Sequence, residues 1–157
     1  MDYDEVLADL LEEEKKYRFN EFTSETALAL GNEIIKLAKK EDAERISVDI
    51  CAFGRQIFHY SNSACGVCND VWLKRKSNTV MFCAHSSLYA CYFLEKTGDT
   101  VVSKWMLNPN EYAQIGGGFP IQTKTGDDVI GTVAFSGLPH EKDHVLVVQA
   151  IKNFIFG

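Results

Sequence analysis

Apolar side chains recur every three or four residues in two stretches at the start of the chain. In the first stretch they stand at Tyr3, Val6, Leu7, Leu10 and Leu11. This spacing places them on one face of a helix, so the pattern predicts an acidic amphipathic helix over residues 1–16. The second stretch runs from Ala27 to Ala38 and ends in lysines, which favour the negative end of a helix dipole. We expect Thr23 or Ser24 to cap this second helix.

Alternation of apolar and polar positions replaces the helical spacing in two later regions. Residues 46–51 alternate strictly, Gly54 marks a turn, and "QIFHY" returns, which predicts a β-hairpin. The stretches "FPIQTK" and "VIGTVAFS", separated by "TGDD", predict a second pair of strands. The earlier stretch "YRFNEF" is a candidate for one further short strand.

Three more helical segments complete the pattern. The longest is predicted from Asp70 to Lys96, a short one covers "VVSKWM", and the last runs from Pro139 to Phe156. Hairpins flanked by helices indicate an α+β fold, in which an antiparallel sheet carries helices on its faces. A doubly wound parallel sheet does not fit this order of elements.

Composition and charge narrow the function classes. A chain of 157 residues is predicted to form one domain, residues 1–157. The net charge of −6 comes from residues 1–25, which hold nine acidic and three basic side chains, so a basic nucleic-acid footprint is missing. No apolar stretch reaches the ~20 residues that a membrane span needs. Five scattered cysteines favour reduced thiols, so we expect a cytoplasmic protein. From the charge and the lack of a long apolar stretch, we expect that it binds neither nucleic acid nor membrane.

The sequence H-E-x-x-H, typical of zinc proteases, occurs at His140, Glu141 and His144. A protease of this class needs a third ligand further along, yet the thirteen residues after His144 contain no Asp, Glu, His or Cys. We therefore reject the protease interpretation and expect no metal site, although zinc held with ligands from elsewhere stays open. Because Pro139 opens the helix, Glu141 and Asp143 lie in its first turns, where negative side chains favour the positive end of the helix dipole. This preference explains their presence without a metal.

Three further features have both a structural and a functional interpretation. Cys65 and Cys68 form a C-x-x-C before a helix, but no βαβ setting or second cysteine pair supports a redox or zinc site, which favours two thiols in a polar loop. His85 interrupts an apolar helix and is favoured as a hydrogen-bonded core histidine over a ligand. The glycines at 116–118 are favoured as a tight turn over an anion-binding nest.

Taken together, three segments resemble one family, the GlcG/HbpS-like (haem-degrading domain) superfamily, and more closely its branch of small uncharacterised cytosolic proteins of bacteria and fungi. The branch-specific segment lies at Trp72, Arg75, Lys76, Val80, Phe82, His85, Ser86 and Ser87. The segments from Gly117 to Ile121 and from Gly131 to Gly137 resemble motifs of the wider superfamily. Pro139, Asp143 and His144 match a motif that recurs near the end of sequences of the branch. The branch pattern does not require His140 or Glu141, and the C-x-x-C loop departs from it.

The resemblance implies a profilin-like fold, a five-stranded antiparallel sheet between helical layers. It also implies assembly into dimers or larger homo-oligomers. Haem handling belongs to the HbpS-like branch, so haem is a candidate cofactor by resemblance only. No residue maps to a haem ligand, and His59, His85 and His144 qualify by residue type alone.

Our leading interpretation is a cytoplasmic homo-oligomer with a small-molecule or anion pocket, where the long helix, the glycine turn and the start of the last helix converge. The residues expected to form that pocket are Trp72, Arg75, Lys76, His85, Ser86, Gly117, Gly118, Phe119, Asp143 and His144. Two alternatives remain: an assembly scaffold that binds no ligand, and a haem- or metal-binding protein of the HbpS type. The sequence assigns no reaction.

Overall fold

Residues 1–157 are described by a computed structural model, in which six helices and four strands alternate along the chain. The helices are α1 (Tyr3–Lys16), α2 (Ser24–Lys40), α3 (Val67–Cys83), α4 (Ser87–Lys96), α5 (Val101–Trp105) and α6 (His140–Phe156). The strands are β1 (Ser47–Ala52), β2 (Arg55–Ser61), β3 (Gly118–Ile121) and β4 (Gly131–Ser136). None of these helices combines the length and the apolar character needed to cross a membrane.

The four strands form one antiparallel sheet in the order β2-β1-β4-β3. The predicted antiparallel α+β architecture is therefore confirmed, but the expected five-stranded sheet is wrong. The candidate fifth strand is reduced to a single parallel bridge between Phe19 and Thr123. Pairing stops there for two reasons. On one side, β3 has already ended at Ile121. On the other side, the chain turns into α2 at Thr23, whose hydroxyl accepts a hydrogen bond from the Thr26 N–H.

The two faces of the sheet differ in chemistry. On one face, α2 and α6 pack against each other and against the sheet, and the main apolar core includes Val48, Ile50, Val133 and Phe135, all 0% exposed. No residue of α3 belongs to that core. The alternate strand positions meet α3 on the other face and are largely polar: Ser47, Asp49, Cys51 and Thr132. Side-chain alternation along a strand thus separates an apolar layer from a polar one.

The helix predicted from Asp70 to Lys96 is in fact two helices, so that prediction is wrong in its extent. Ala84 ends α3 in the left-handed conformation, with φ of 61°. Ser86 then starts α4, because its hydroxyl accepts a hydrogen bond from the Tyr89 N–H at 3.1 Å. The break turns α4 away from the sheet and lets it pack against α1.

Helix α1 lies outside the main core. Its predicted amphipathic face packs on a separate small apolar cluster, made of Leu7, Leu10, Leu88, Cys91 and Tyr92. Polar contacts at its start reinforce this packing, since Lys96 forms an ion pair with Asp4. The far end of α1 reaches the start of α6 through Glu13 and His144.

Candidate functional site

A buried ion pair occupies the place where the sequence predicted a pocket. Lys76 of α3 and Asp143 of α6 are 1% and 2% exposed, and their Nζ and Oδ2 atoms lie 2.9 Å apart. Lys76 also donates to the Phe135 carbonyl at 2.8 Å, and the Leu138 N–H donates to Asp143 Oδ1 at 2.8 Å. Gly117, with φ of 124°, passes so close that a Cβ there would lie 2.6 Å from Lys76 Nζ.

Burial dominates the electrostatics of this pair. It raises the pKa of Asp143 from 3.8 to about 6, against the opposing attraction of Lys76 and the Leu138 N–H. Burial also lowers the pKa of Lys76, again opposed by Asp143. Removing two charges from water can cost more than their mutual attraction returns. Because its hydrogen bonds are satisfied inside the chain, the pair ties α3, β4 and α6 together.

A hydrogen bond to a serine side chain of α4 holds the glycine turn. The Gly118 N–H donates to Ser87 Oγ at 2.9 Å, and the neighbouring Ser86 serves as the cap of α4. Phe119 is 1% exposed, and its ring centroid lies 6.1 Å from that of His144. Four predicted site residues, Ser86, Gly118, Phe119 and His144, are therefore closed off from solvent.

Two acidic residues that the sequence analysis missed contact two of the predicted histidines. Glu13 Oε1 lies 2.8 Å from His144 Nε2, and Glu14 Oε1 lies 2.9 Å from His85 Nδ1. Both carboxylates come from the last turn of α1. The acidic run of α1 was visible in the sequence, but its spacing alone could not show which carboxylates would face histidines more than seventy residues away.

The other two predicted residues, Trp72 and Arg75, lie apart from the ion pair. The Arg75 guanidinium stacks over the Trp72 ring at 4.2 Å, and its Nη2 donates to the Pro109 carbonyl at 2.6 Å. The positive charge of Arg75 is thus directed away from Lys76, toward the loop before the glycine turn. The structure does not bring the two cations together at one pocket.

The residues of the H-E-x-x-H match point to different partners. His140 Nδ1 accepts from the Gly116 N–H at 3.0 Å, and its Nε2 lies 3.4 Å from Glu141. His144 instead faces Glu13 of α1. No group of three or more His, Cys, Asp or Glu side chains is placed to hold a metal ion.

The C-x-x-C cysteines are both free thiols at the start of α3. Cys65 Sγ lies 3.2 Å from Asn62 Oδ1, while Cys68 is exposed with its Sγ 3.7 Å from Asn69 Oδ1. Each thiol therefore has a neutral amide as its polar neighbour.

The aromatic cavity, a surface depression of about 260 Å³, lies where α3, α4 and α5 meet. It is lined by Phe82, Cys83, His85, Tyr89, Phe93 and Trp105. The Phe93 ring stacks on Tyr89 and on Trp105, with centroids 5.9 Å and 6.2 Å away. Burial raises the pKa of the Cys83 thiol to about 11. The cavity therefore offers aromatic rings, a neutral thiol and one imidazole, and of the predicted site residues His85 alone lines it.

Comparison with known proteins gives a consistent family. A family model described as haem degrading protein HbpS-like matches residues 22–152. A UPF0303 protein of Streptomyces coelicolor is 36% identical over 96% of this chain and 94% of its own length. The crystal structure of Ybr137w has a TM-score of 0.86 and 31% identity, covering 95% of this chain and 87% of that one.

A more distant solved structure is a complex of PduOC with haem, with a TM-score of 0.66 and 16% identity. It covers 83% of this chain and 93% of that one, and at this identity it shows the fold. The family model spans most of the chain, and relatives of similar length share more than three residues in ten. The protein therefore belongs to the HbpS-like family, and its relatives of similar length include UPF0303 proteins.

Proposed function

We propose that this protein binds a small planar ligand in the aromatic cavity. The observation that supports the proposal most strongly is the continuous stack of Tyr89, Phe93 and Trp105, whose rings are inclined by only 18° and 10°. Parallel rings beside a depression provide faces on which another ring system can lie. Each such contact contributes about 0.5–1.5 kcal/mol beyond the area that it buries.

The chemistry around the stack favours a ligand with an acidic group. Lys104 Nζ lies 5.6 Å from the Phe93 ring centroid and supplies positive charge at the rim. His85 adds a polar anchor, because Glu14 contacts its Nδ1 and leaves Nε2 without a hydrogen bond. The volume of about 260 Å³ is slightly below the usual range for ligand pockets, about 300–1,000 Å³. A small ring system, or one edge of a larger planar molecule, fits this space.

Haem is the specific alternative, supported by the family and by the chemistry of His85. PduOC, which shares the fold, has been solved in complex with haem. A histidine whose second nitrogen contacts a carboxylate is the usual arrangement of a metal-binding imidazole, and His85 has this arrangement with Glu14. Cys83 fits this role less well, because its raised pKa of about 11 keeps the thiol protonated at neutral pH.

Titration with haemin and with anilinonaphthalene sulfonate, an anionic dye with a flat naphthalene ring system, tests both versions. We expect the dye to bind and its fluorescence to rise, and Phe93→Ala to weaken its binding at least tenfold. If haem is the ligand, haemin gives a shifted Soret band that His85→Ala removes. His59→Ala is the matched control, since His59 also faces carboxylates but contacts the first turn of α3, whereas the cavity lies at the last. Failure of both probes to bind, or equal binding by the Phe93→Ala protein, overturns the proposal.

Assembly of copies of this chain is a second candidate function for the same region. Apolar side chains close to the cavity are unusually exposed: Phe82 48%, Val102 48% and Met106 90%. Exposed apolar groups of this kind mark interaction surfaces. If they join copies of the chain, light scattering will show that Met106→Asp and Val102→Asp reduce the oligomer mass. A mass unchanged by both substitutions removes this candidate.

A further inference from the structure

We propose that a second cavity, between α3 and the turn end of the β1–β2 hairpin, binds an α-amino acid with an apolar side chain. This polar cavity has a volume of about 350 Å³. Its walls come from four elements, with Asp49 and Gln56 on the strands and Lys74, Ser77 and Met81 on α3. It shares no lining residue with the aromatic cavity, so the inference does not rest on the function proposed above.

The polar layer between α3 and the sheet creates this cavity. Asp49 is only 8% exposed, although its neighbours in β1 at positions 48 and 50 face the apolar core. Its Oδ1 accepts from Gln56 Nε2 at 2.8 Å, and its Oδ2 accepts from the Cys51 thiol at 3.6 Å. No lysine or arginine forms an ion pair with it, and the one basic side chain in reach is His59, whose Nδ1 lies 3.7 Å from Oδ1. A buried carboxylate without a permanently charged partner is costly, and a ligand ammonium group would offset that cost.

An unsatisfied hydroxyl lies on the opposite wall. Ser77 is 8% exposed, and its buried Oγ has no hydrogen-bond partner in the chain. Buried side-chain oxygens nearly always have a partner, so an unpaired one beside a cavity indicates a missing donor or acceptor. A serine hydroxyl can both donate and accept, and it therefore suits an amine or a carboxylate equally.

Cations without partners stand at the rim. Lys74 and Arg55 both line the cavity, both are exposed, and neither forms an ion pair or a side-chain hydrogen bond. The cavity thus places negative charge at the sheet and positive charge at the mouth. A zwitterion matches this polarity, with its ammonium at Asp49 and its carboxylate at Lys74 and Arg55.

The remaining lining sets the character of the side chain. Met81 and Ile130 provide apolar surface within the same cavity. A compact aliphatic side chain in contact with this surface loses contact with water, and its burial adds affinity that a carboxylate or an amine alone does not gain. We therefore take L-leucine as the probe. Its two truncated analogues, isoamylamine and 4-methylpentanoate, each keep the side chain and one charged group.

Nuclear magnetic resonance titration of the isotope-labelled full chain tests the assignment. We expect L-leucine to bind with a submillimolar Kd and to shift the amide signals of Asp49, Gln56 and Ser77. Both analogues should bind at least tenfold more weakly. Lys74→Ala should weaken leucine binding about tenfold, and Asp49→Asn should abolish it, while Lys36→Ala on the exposed face of α2 leaves it unchanged.

Four outcomes would overturn the proposal: no shifts with leucine at tens of millimolar, shifts confined to other residues, an analogue that binds as tightly as leucine, or unaltered binding by Lys74→Ala. Because Lys74 is an exposed surface residue, its variant folds even if Asp49→Asn does not. Binding of anilinonaphthalene sulfonate in the same samples reports the aromatic cavity separately, so the failure of one site is distinguishable from the failure of the other.

Discussion

Replacing Asp143 with asparagine tests whether burial outweighs ion pairing at the centre of the fold. The substitution keeps the shape of the side chain and an oxygen that can accept the Leu138 N–H, now 2.8 Å from Oδ1. It removes the negative charge beside Lys76 and, with it, the Oδ2 atom that accepts a hydrogen bond from Lys76 Nζ. The carboxyl group of Asp143 has a pKa of about 6 in the folded protein, against 3.8 for an ordinary aspartate. At a pH between these two values, the folded protein holds a proton that the unfolded chain has already released.

The sign and the size of the effect follow from that difference. A group whose pKa is raised on folding contributes stability at low pH and loses it as the pH rises through the folded value. At about 1.36 kcal/mol for each pKa unit, the full effect is about 3 kcal/mol, of which about 2 kcal/mol appears between pH 4 and pH 7. The wild-type protein should lose at least this amount relative to Asp143→Asn as the pH rises. The asparagine side chain does not titrate, and burial lowers the pKa of Lys76 further once Asp143 is gone, so that any effect of Lys76 makes the variant more stable at higher pH.

Urea unfolding followed by tryptophan fluorescence measures this difference at each pH. We expect the free energy of unfolding of the wild type, minus that of Asp143→Asn, to fall by at least about 2 kcal/mol from pH 4 to pH 7. Asp9→Asn, which changes an exposed carboxylate on α1, should give a flat difference. A difference that stays flat for Asp143→Asn, or rises with pH, would mean that attraction to Lys76 exceeds the cost of burial and would refute the reasoning.

Two further substitutions or modifications check the packing. Gly31→Ala should destabilise the protein by about 1–3 kcal/mol and lower its Tm, because a Cβ there would lie 2.4 Å from the Phe58 ring; an unchanged Tm would show that the ring moves freely. With Ellman's reagent, the exposed Cys68 thiol should react quickly and the Cys91 thiol only as the protein unfolds. The reason is that Cys91 is 4% exposed and that burial raises its pKa to about 12. Equal reaction rates of the two thiols would contradict the placement of α4.

The sequence predicted the starts of helices well where a single residue type determines the local backbone geometry. Thr23 was named as a candidate cap and does cap α2, with its hydroxyl 3.2 Å from the Thr26 N–H. The helix from Pro139 also begins at the expected place. The break at Ala84 was missed, although Ser86 was a readable cap, because the apolar spacing continues on both sides of it. A left-handed alanine has no signature in the sequence.

Long-range partners were the part that the sequence could not supply. Residues of the family motif suggested that Lys76, Gly117 and Asp143 meet, and they do lie together. These groups bond to one another and leave no open pocket, and that outcome depends on distances that the spacing of residues along the sequence does not give. For the same reason the pairing of Glu14 with His85 was not predicted, nor was the stacking of Trp105 of α5 on Phe93 of α4.

The aromatic cavity is the centre of the functional proposal, and the indole N–H signal of Trp105 reports on it directly. In a Trp72→Phe protein this signal is the sole indole resonance, since the chain has two tryptophans. During titration with anilinonaphthalene sulfonate, we predict a saturable shift of the Trp105 signal together with the amides of Tyr89 and Phe93. A Trp105 signal that stays fixed while the dye binds elsewhere, or does not bind, would contradict the account.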